Sequence, residues 1–347
     1  MLFDAPDFDA HEAIHIASDA ATGLKAIIVI HSTHLGPAAG GCRWWDYADD
    51  SAALTDALRL SRGMSYKNAM AGLPMGGGKG VILKSVDAPK TEALLEAFGG
   101  VVESLGGRYV TAEDVGISDA DMTVISRRTR HVSGLPVAAG AVGGNPGPST
   151  AEGVFVGMRA AVAHKLGRHD FNGLHIAIQG VGSVGGALAE KLAVAGAKLT
   201  IADVDAARAA AFAARLGATA VDIDAIASVS ADVFSPNALG AGLNAATIEA
   251  LDVAIVAGAA NNQLATADDG ARLAARGILY APDYVINAGG IISVVAEYLG
   301  QTDPAVVARG IAAIEGRLAD IFATADRIAM PTDMVADSMA RKLIGRA

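Results

Sequence analysis

The stretch LHIAIQGVGSVG, residues 174–185, decides the fold. An apolar run of strand length leads into Gly180, Gly182 and Gly185 in G-x-G-x-x-G spacing, and then into a run of good helix formers, ALAEKLAVAG. Each glycine answers a separate demand. Gly180 permits a tight turn, Gly182 lets backbone approach a diphosphate, and Gly185 lets the helix seat closely on the strand. A diphosphate would meet the free N–H groups of the opening helical turn, at Ser183 and Val184, and the positive end of the helix dipole. With 41 glycines such a spacing arises by chance. Here, however, Asp203 closes the next apolar run 23 residues past Gly180, where a carboxylate bonds both ribose hydroxyls. That charge repels a 2′-phosphate, which favours NAD over NADP.

Downstream, strand-like runs at 175–179, 198–202, 253–257 and 278–281 alternate with Ala-rich helical patterns as far as residue 322, which makes a parallel sheet with helices on both faces. Upstream, residues 134–148 (GLPVAAGAVGGNPGP) carry Gly and Pro without a period and read as a hinge between domains. The first third mixes strand and helix. Residues 24–30 form an apolar β-branched run, 51–70 have helical spacing, and Leu94, Leu95, Phe98, Val101, Val102 and Leu105 mark one helix face. Ser118 with Asp121 has the form of a capping box.

The expectation is an α/β protein of two domains, which suits 347 residues at roughly 150 per domain. An N-terminal α/β substrate-binding and catalytic domain spans 1–136, with a helix at 325–347 packing back on it. A Rossmann doubly wound dinucleotide-binding domain spans 137–324.

Composition excludes other classes. A hydrophobic fraction of 52% against 18% charged residues rules out disorder, and one cysteine rules out a disulfide scaffold. A net charge of −10 opposes nucleic acid and anionic lipid as partners. No stretch of about 18 apolar residues is free of charge, so no membrane span is expected. Residues 1–10 hold three aspartates and no basic residue, unlike a secretory signal, and with Cys42 as the only thiol the expected compartment is the reducing cytoplasm.

The most unusual segment is 64–81, MSYKNAMAGLPMGGGKGV. Lys67 sits on a helix, and Lys79 follows three glycines, where burial and a second ammonium would make a base of it. Leu73 and Gly80 exclude a P-loop. At 111–116, TAEDVG follows a short strand, so Glu113 and Asp114 lie at a strand exit, where functional side chains gather. Residues 11–15, HEAIH, spell the zinc-protease motif, but the surroundings are strand-like and no third ligand follows, so no metal is expected. Cys42, Trp44 and Trp45 read as packing residues.

GPAAGGCRWW (36–45), DALRLSRGMSYKNAMAGLPMGGGKGVI (56–82), TAEDVG, NPGPSTAEGV (145–154), the Rossmann segment, VAGAANNQL (256–264) and YAPDYVINAGG (280–290) together resemble the leucine/phenylalanine/valine branch of the glutamate dehydrogenase superfamily. The resemblance implies reversible oxidative deamination of an L-amino acid to the 2-oxo acid and ammonia with NAD. It implies that Lys67 binds the substrate carboxylate, Lys79 activates the attacking water and Asp114 shuttles a proton to and from the amine. Gly40 and Gly41 would line the substrate cleft, Asn262 would reach the substrate carboxylate, and Thr150 and Asn287 would lie near the nicotinamide end.

Ile291 and Val294 fall where the family places side-chain pocket residues, and their bulk favours leucine, valine or isoleucine over phenylalanine. Ala39 reopens some room. Homo-oligomers from dimer to octamer are implied. The rival of another class is a non-catalytic NAD-binding protein, which would show damage at the lysines or the aspartate, and none is seen.

Overall fold

The computed structural model describes residues 2–5, 7–85, 89–137, 141–238 and 240–346. The chain divides into two compact units: Met1–Pro146 with Ile291–Val307 and Ala340–Ala347, and Gly147–Gly290 with Ala308–Met339.

In the first unit, β1 (Ala13–Asp19), β2 (Leu24–Ser32), β3 (Ala38–Trp45), β4 (Gly76–Leu83) and β5 (Tyr109–Ala112) form a sheet in the order β1-β2-β4-β3-β5. The β1–β2 and β2–β4 pairs are antiparallel, while β3 runs parallel to β4 and β5. Helices α1 (Asp50–Met70), α2 (Glu92–Ser104) and α3 (Asp119–Ser126) cover it. Residues 26–30 of β2 read as continuously apolar because both faces of the strand are covered there. Ala26, Ile28 and Ile30 join Leu94, Phe98, Met122 and Ile125, whereas Ile27 and Val29 join Ala53, Ala57 and Leu58 of α1.

Each helix opens on a side-chain cap: Asp49 for α1, Thr91 for α2, and for α3 the capping box of Ser118 and Asp121. The glycine run ahead of Lys79 has a local cause, since a Cβ on Gly77 would collide with the backbone nitrogen and Oγ of Ser65. Helix α1 therefore lies against β4 at glycine distance.

The second unit holds α4 (Gly147–Leu166), β6 (His175–Gln179), α5 (Ser183–Val194), β7 (Lys198–Ala202), α6 (Ala206–Leu216), β8 (Thr219–Ala220), β9 (Val233–Pro236), α7 (Ala245–Ala250), β10 (Ile255–Val256), α8 (Asp269–Ala275), β11 (Leu279–Tyr280) and α9 (Asp283–Ile286). Its sheet runs β11-β10-β9-β6-β7-β8 with every pair parallel. This is the doubly wound Rossmann order, and the direction of winding reverses between β6 and β9, the point at which such sheets bind ligands. Ala177, Ala202, Phe234, Val256 and Tyr280 build one core face with Ile226, Ile248, Leu251 and Leu273.

Helices α10 (Gly289–Tyr298), α11 (Pro304–Ile328) and α12 (Thr332–Leu343) carry residues of both units. The first unit thus extends past residue 136, to Pro146, and takes back Ile291–Val307. The cause is Glu297 of α10, whose carboxylate accepts the N–H groups of Gly134, Leu135 and Gly144 at 3.1–3.2 Å. Within the hinge expected at 134–148, residues 138–140 lie outside the described residues. Of the return expected at 325–347, only Ala340–Ala347 belongs to the first unit. There Arg346 donates to the carbonyls of Asp9 and His31, both at 2.6 Å. Earlier in α12, Thr332 donates to the Tyr280 carbonyl at 2.6 Å and Asp337 accepts from Tyr284 at 2.7 Å, which keeps that part in the second unit.

Candidate active site

Strand β4 delivers Lys79 with 4% exposure, and its Nζ lies 2.7 Å from Oδ2 of Asp114, just past the end of β5. The same oxygen accepts from Nε of Arg43 on β3 at 2.8 Å. Arg43 continues the network through Nη1 to Oδ2 of Asp56 at 2.9 Å, and Asp56 also accepts from the Tyr47 hydroxyl at 2.6 Å. Burial acts to raise Asp114, but the Lys79 ammonium and the Arg43 guanidinium outweigh it and hold the carboxyl at about 2. Burial and the Asp56 carboxylate push the Tyr47 phenol up.

Lys67 stands half-buried in the last turn of α1, between the buried Tyr66 and Asn68. The carbonyl of Gly40 accepts from the Tyr109 hydroxyl at 2.7 Å. A Cβ on Gly41 would collide with the Glu113 carbonyl and lie 2.9 Å from Cβ of Asp114. Gly41 is thus what lets the aspartate approach β3. Arg43 and Asp56 lie in segments 36–45 and 56–82 but were given no role from the sequence. Strand alternation offered the one signal for Arg43, because it puts Gly41 and Arg43 on the same face of β3.

An apolar cluster of the same unit joins Ala39, Met75, Val110 and Val295, with Leu73, Ile291 and Tyr298 half-buried against it. Ile291, expected from the sequence to line the side-chain pocket, packs against this cluster. Val294 is buried outside this group, and its neighbour Val295 belongs to it. Residues 291, 295 and 298 follow the i, i+4, i+7 stripe of a helix, a spacing that finds Val295 from the sequence once Ile291 is fixed.

In the second unit Gly180 has φ of 89°, and a Cβ on Gly185 would collide with the Gly180 carbonyl. A Cβ on Gly182 would have nothing within 4 Å, and Gly182 caps α5 with no side-chain hydrogen bond. The Ser183 and Val184 end of α5 therefore fits an anionic diphosphate. Asn237, just past β9, lies 3.1 Å from where a Gly180 Cβ would stand, and its Oδ1 accepts from the Ala259 N–H at 2.9 Å.

Asp203 follows β7 and is buried. Its carboxylate accepts from the Val181 N–H at 2.8 Å, the Asp205 N–H at 2.9 Å and Nη2 of Arg208 at 2.6 Å. Burial again acts to raise it, and Arg208 with the two backbone amides holds it at about 2. The segments of Thr150 and Asn287 come together, since a Cβ on Gly289 would collide with the Ser149 carbonyl and lie 3.2 Å from the Thr150 nitrogen. Asn287 donates to the Ala259 carbonyl at 3.0 Å and to Oδ1 of Asn261 at 2.8 Å, while its own buried Oδ1 has no partner among the described residues. That orphan acceptor fits the carboxamide of a nicotinamide ring. Asn262 is exposed, with φ of 49°, a left-handed conformation that asparagine tolerates.

The HEAIH segment lacks the helix its motif requires. His15 lies on β1, while His11 precedes that strand and donates to the Leu58 carbonyl at 3.1 Å. Glu12 accepts both the N–H and the hydroxyl of Thr33 at 2.7 Å. His31 faces Ser65 at 2.7 Å and Asp9 at 3.2 Å, an order that looks like a nucleophile, base and acid. Yet His31 and Ser65 are both fully buried, and Arg346 donates to the outer ring nitrogen at 2.6 Å. The cluster is structural.

Residues 10–131 match the dimerisation domain of the Glu/Leu/Phe/Val dehydrogenases, and 206–321 match the Glutamate/Leucine/Phenylalanine/Valine dehydrogenase domain. The chain is 45% identical to the leucine dehydrogenase of Thermoactinomyces intermedius over 99% of its own length and 93% of that protein's. It is 44% identical to the valine dehydrogenase of Streptomyces albus, over 98% of this chain and 94% of the relative. The crystal structure of L-tryptophan dehydrogenase from Nostoc punctiforme superposes with a TM-score of 0.84 at 41% identity, covering 96% of each chain. Matches over both units at these identities place the chain in the glutamate/leucine/phenylalanine/valine dehydrogenase family, and it is an amino-acid dehydrogenase.

Proposed function

We propose that the protein catalyses the NAD-dependent, reversible oxidative deamination of branched-chain L-amino acids, leucine, valine and isoleucine ahead of phenylalanine. The observation that carries this is the buried Lys79–Asp114 pair at 2.7 Å, a base and a carboxylate within proton-transfer reach of each other. When bound, NAD accepts the hydride that leaves the substrate Cα. Lys67 holds the substrate carboxylate, Lys79 activates the water that attacks the imine, and Asp114 carries a proton to and from the departing amine. The last two roles are coupled: as Lys79 gives up its charge, the first influence lowering Asp114 disappears and the carboxyl becomes able to take a proton. A non-catalytic NAD-binding protein would have no need of this pair.

Bulk at Ile291 and Val295 supports branched aliphatic substrates, and the small Ala39 is what favours phenylalanine as the second choice. One methylene in such a pocket discriminates by about 1–3 kcal/mol, so activity on several branched-chain substrates is expected. The protein would act as a homo-oligomer in the cytoplasm. No described helix is long and apolar enough to cross a membrane. A panel of L-amino acids assayed with NAD and NADP tests the proposal. The highest kcat/KM is expected on leucine or valine with NAD. A preference for phenylalanine over leucine of more than tenfold reverses the substrate order.

A further inference from the structure

Asp203 was expected to present its carboxylate to a ribose, yet its side chain is only 4% exposed, and the group beside it that meets solvent is Arg208, 41% exposed. One carboxylate oxygen is held by the Val181 N–H, and the other by the Asp205 N–H and the Arg208 guanidinium. Arg208 also stands 3.8 Å from the Asp205 carboxylate. A nucleotide reaching the end of β7 therefore meets a guanidinium first and the buried acid behind it.

We propose that Arg208 sets how strictly the enzyme separates NAD from NADP: it screens Asp203 and offers a planar donor fork to a 2′-phosphate. This rests on the dinucleotide reading of the second unit. Carboxylate alone at this position accepts from the ribose diol and repels a 2′-phosphate, whereas an arginine beside it accommodates one. Guanidinium matches phosphate in a two-pronged, charge-assisted contact. The two acids, Asp203 and Asp205, outnumber the one cation, so NAD remains the better cofactor. Arg208 narrows the margin.

The binding arm of the test needs no amino-acid substrate. Adenosine 2′,5′-bisphosphate and 5′-AMP are each titrated against bound NADH, read by its fluorescence, in the wild type, Arg208→Ala and Arg208→Gln. In both variants the affinity for the bisphosphate relative to 5′-AMP is expected to fall at least tenfold, and the ratio of NADP to NAD in kcat/KM to fall with it. A fall in relative affinity of less than tenfold overturns the proposal while leaving the dinucleotide reading intact. If wild type binds neither fragment nor NADH, both are overturned together.

Discussion

Asp114 in the first unit and Asp203 in the second both follow the end of a parallel strand, and both are held at about 2 against the opposing influence of burial. They differ in what holds them. Asp114 is gripped by two side-chain cations, Lys79 and Arg43. Asp203 is gripped by two backbone amides as well as by Arg208. Amides neither swing nor change charge, so Asp203 is a fixed acceptor suited to binding. Asp114 stands 2.7 Å from the Lys79 amine, a distance that a proton can cross. The glycines follow the same division. Gly77 is required because Ser65 of α1 fills the space beside it, whereas Gly182 faces open space that a ligand can fill.

The largest expected effect breaks the comparison on the catalytic side. Lys79→Ala should lower kcat by about 10²-fold or more, as loss of a general base does, while NADH binding measured by fluorescence stays close to wild type. If kcat remains within a few fold, Lys79 is only the counter-ion of Asp114 and the distinction between the two aspartates disappears.

A smaller effect concerns the acid limb of stability. The folded Asp114 carboxyl titrates at about 2, below its usual 3.8. Its contribution is therefore fully present above about pH 4 and is lost as pH falls towards 2. The shift corresponds to about 2 kcal/mol. Urea unfolding of wild type and Asp114→Asn should differ by that amount at pH 6, and the gap should close as pH is lowered through 4 towards 2. A gap that stays constant across that range would mean that the ion pair contributes nothing and that the variant acts through packing alone.

How far each site could be read from the sequence follows from the separation of its parts. The Gly-rich turn, its helix and Asp203 fall within 30 residues, and the hydrogen bond from Val181 to Asp203 spans 22. Strand, turn and helix signals all act on that scale, so the strand, turn and helix of this half were readable from the sequence. The capping box at Ser118 and the amphipathic face at 94–105 were legible for the same reason.

In the catalytic half the decisive contacts are distant: Lys79 lies 35 residues from Asp114, and Arg43 lies 71. Lys79 stood out through the glycine run and Asp114 through the strand exit, with roles that the family resemblance implied, but Arg43, Asp56 and Val295 needed the sheet order and helix packing to bring them in. At the HEAIH segment the strand-like surroundings prevail over the motif. Its spacing suits a helix, but β1 pairs in register with β2 from Ala13↔Ile30 to Asp19↔Leu24, and that ladder overrides it.

The smallest effect sharpens the comparison on the binding side. In Asp203→Asn the shape is kept, but one acceptor oxygen becomes an NH2 group that must face a donor: the Val181 N–H on one side, or the Asp205 N–H and Arg208 on the other. One partner is left without an acceptor, and the charge proposed to anchor a ribose diol is gone. KM for NAD should rise about tenfold, equivalent to about 1.4 kcal/mol, with kcat within about threefold of wild type, because the change lies in cofactor binding and touches no proton-transfer group. KM for NADP should rise less, since Arg208 is then no longer neutralised by Asp203. Steady-state kinetics with both dinucleotides measure this directly. A KM for NAD within twofold of wild type would mean that Asp203 serves only to hold the glycine turn, and that the acceptor for the ribose lies elsewhere.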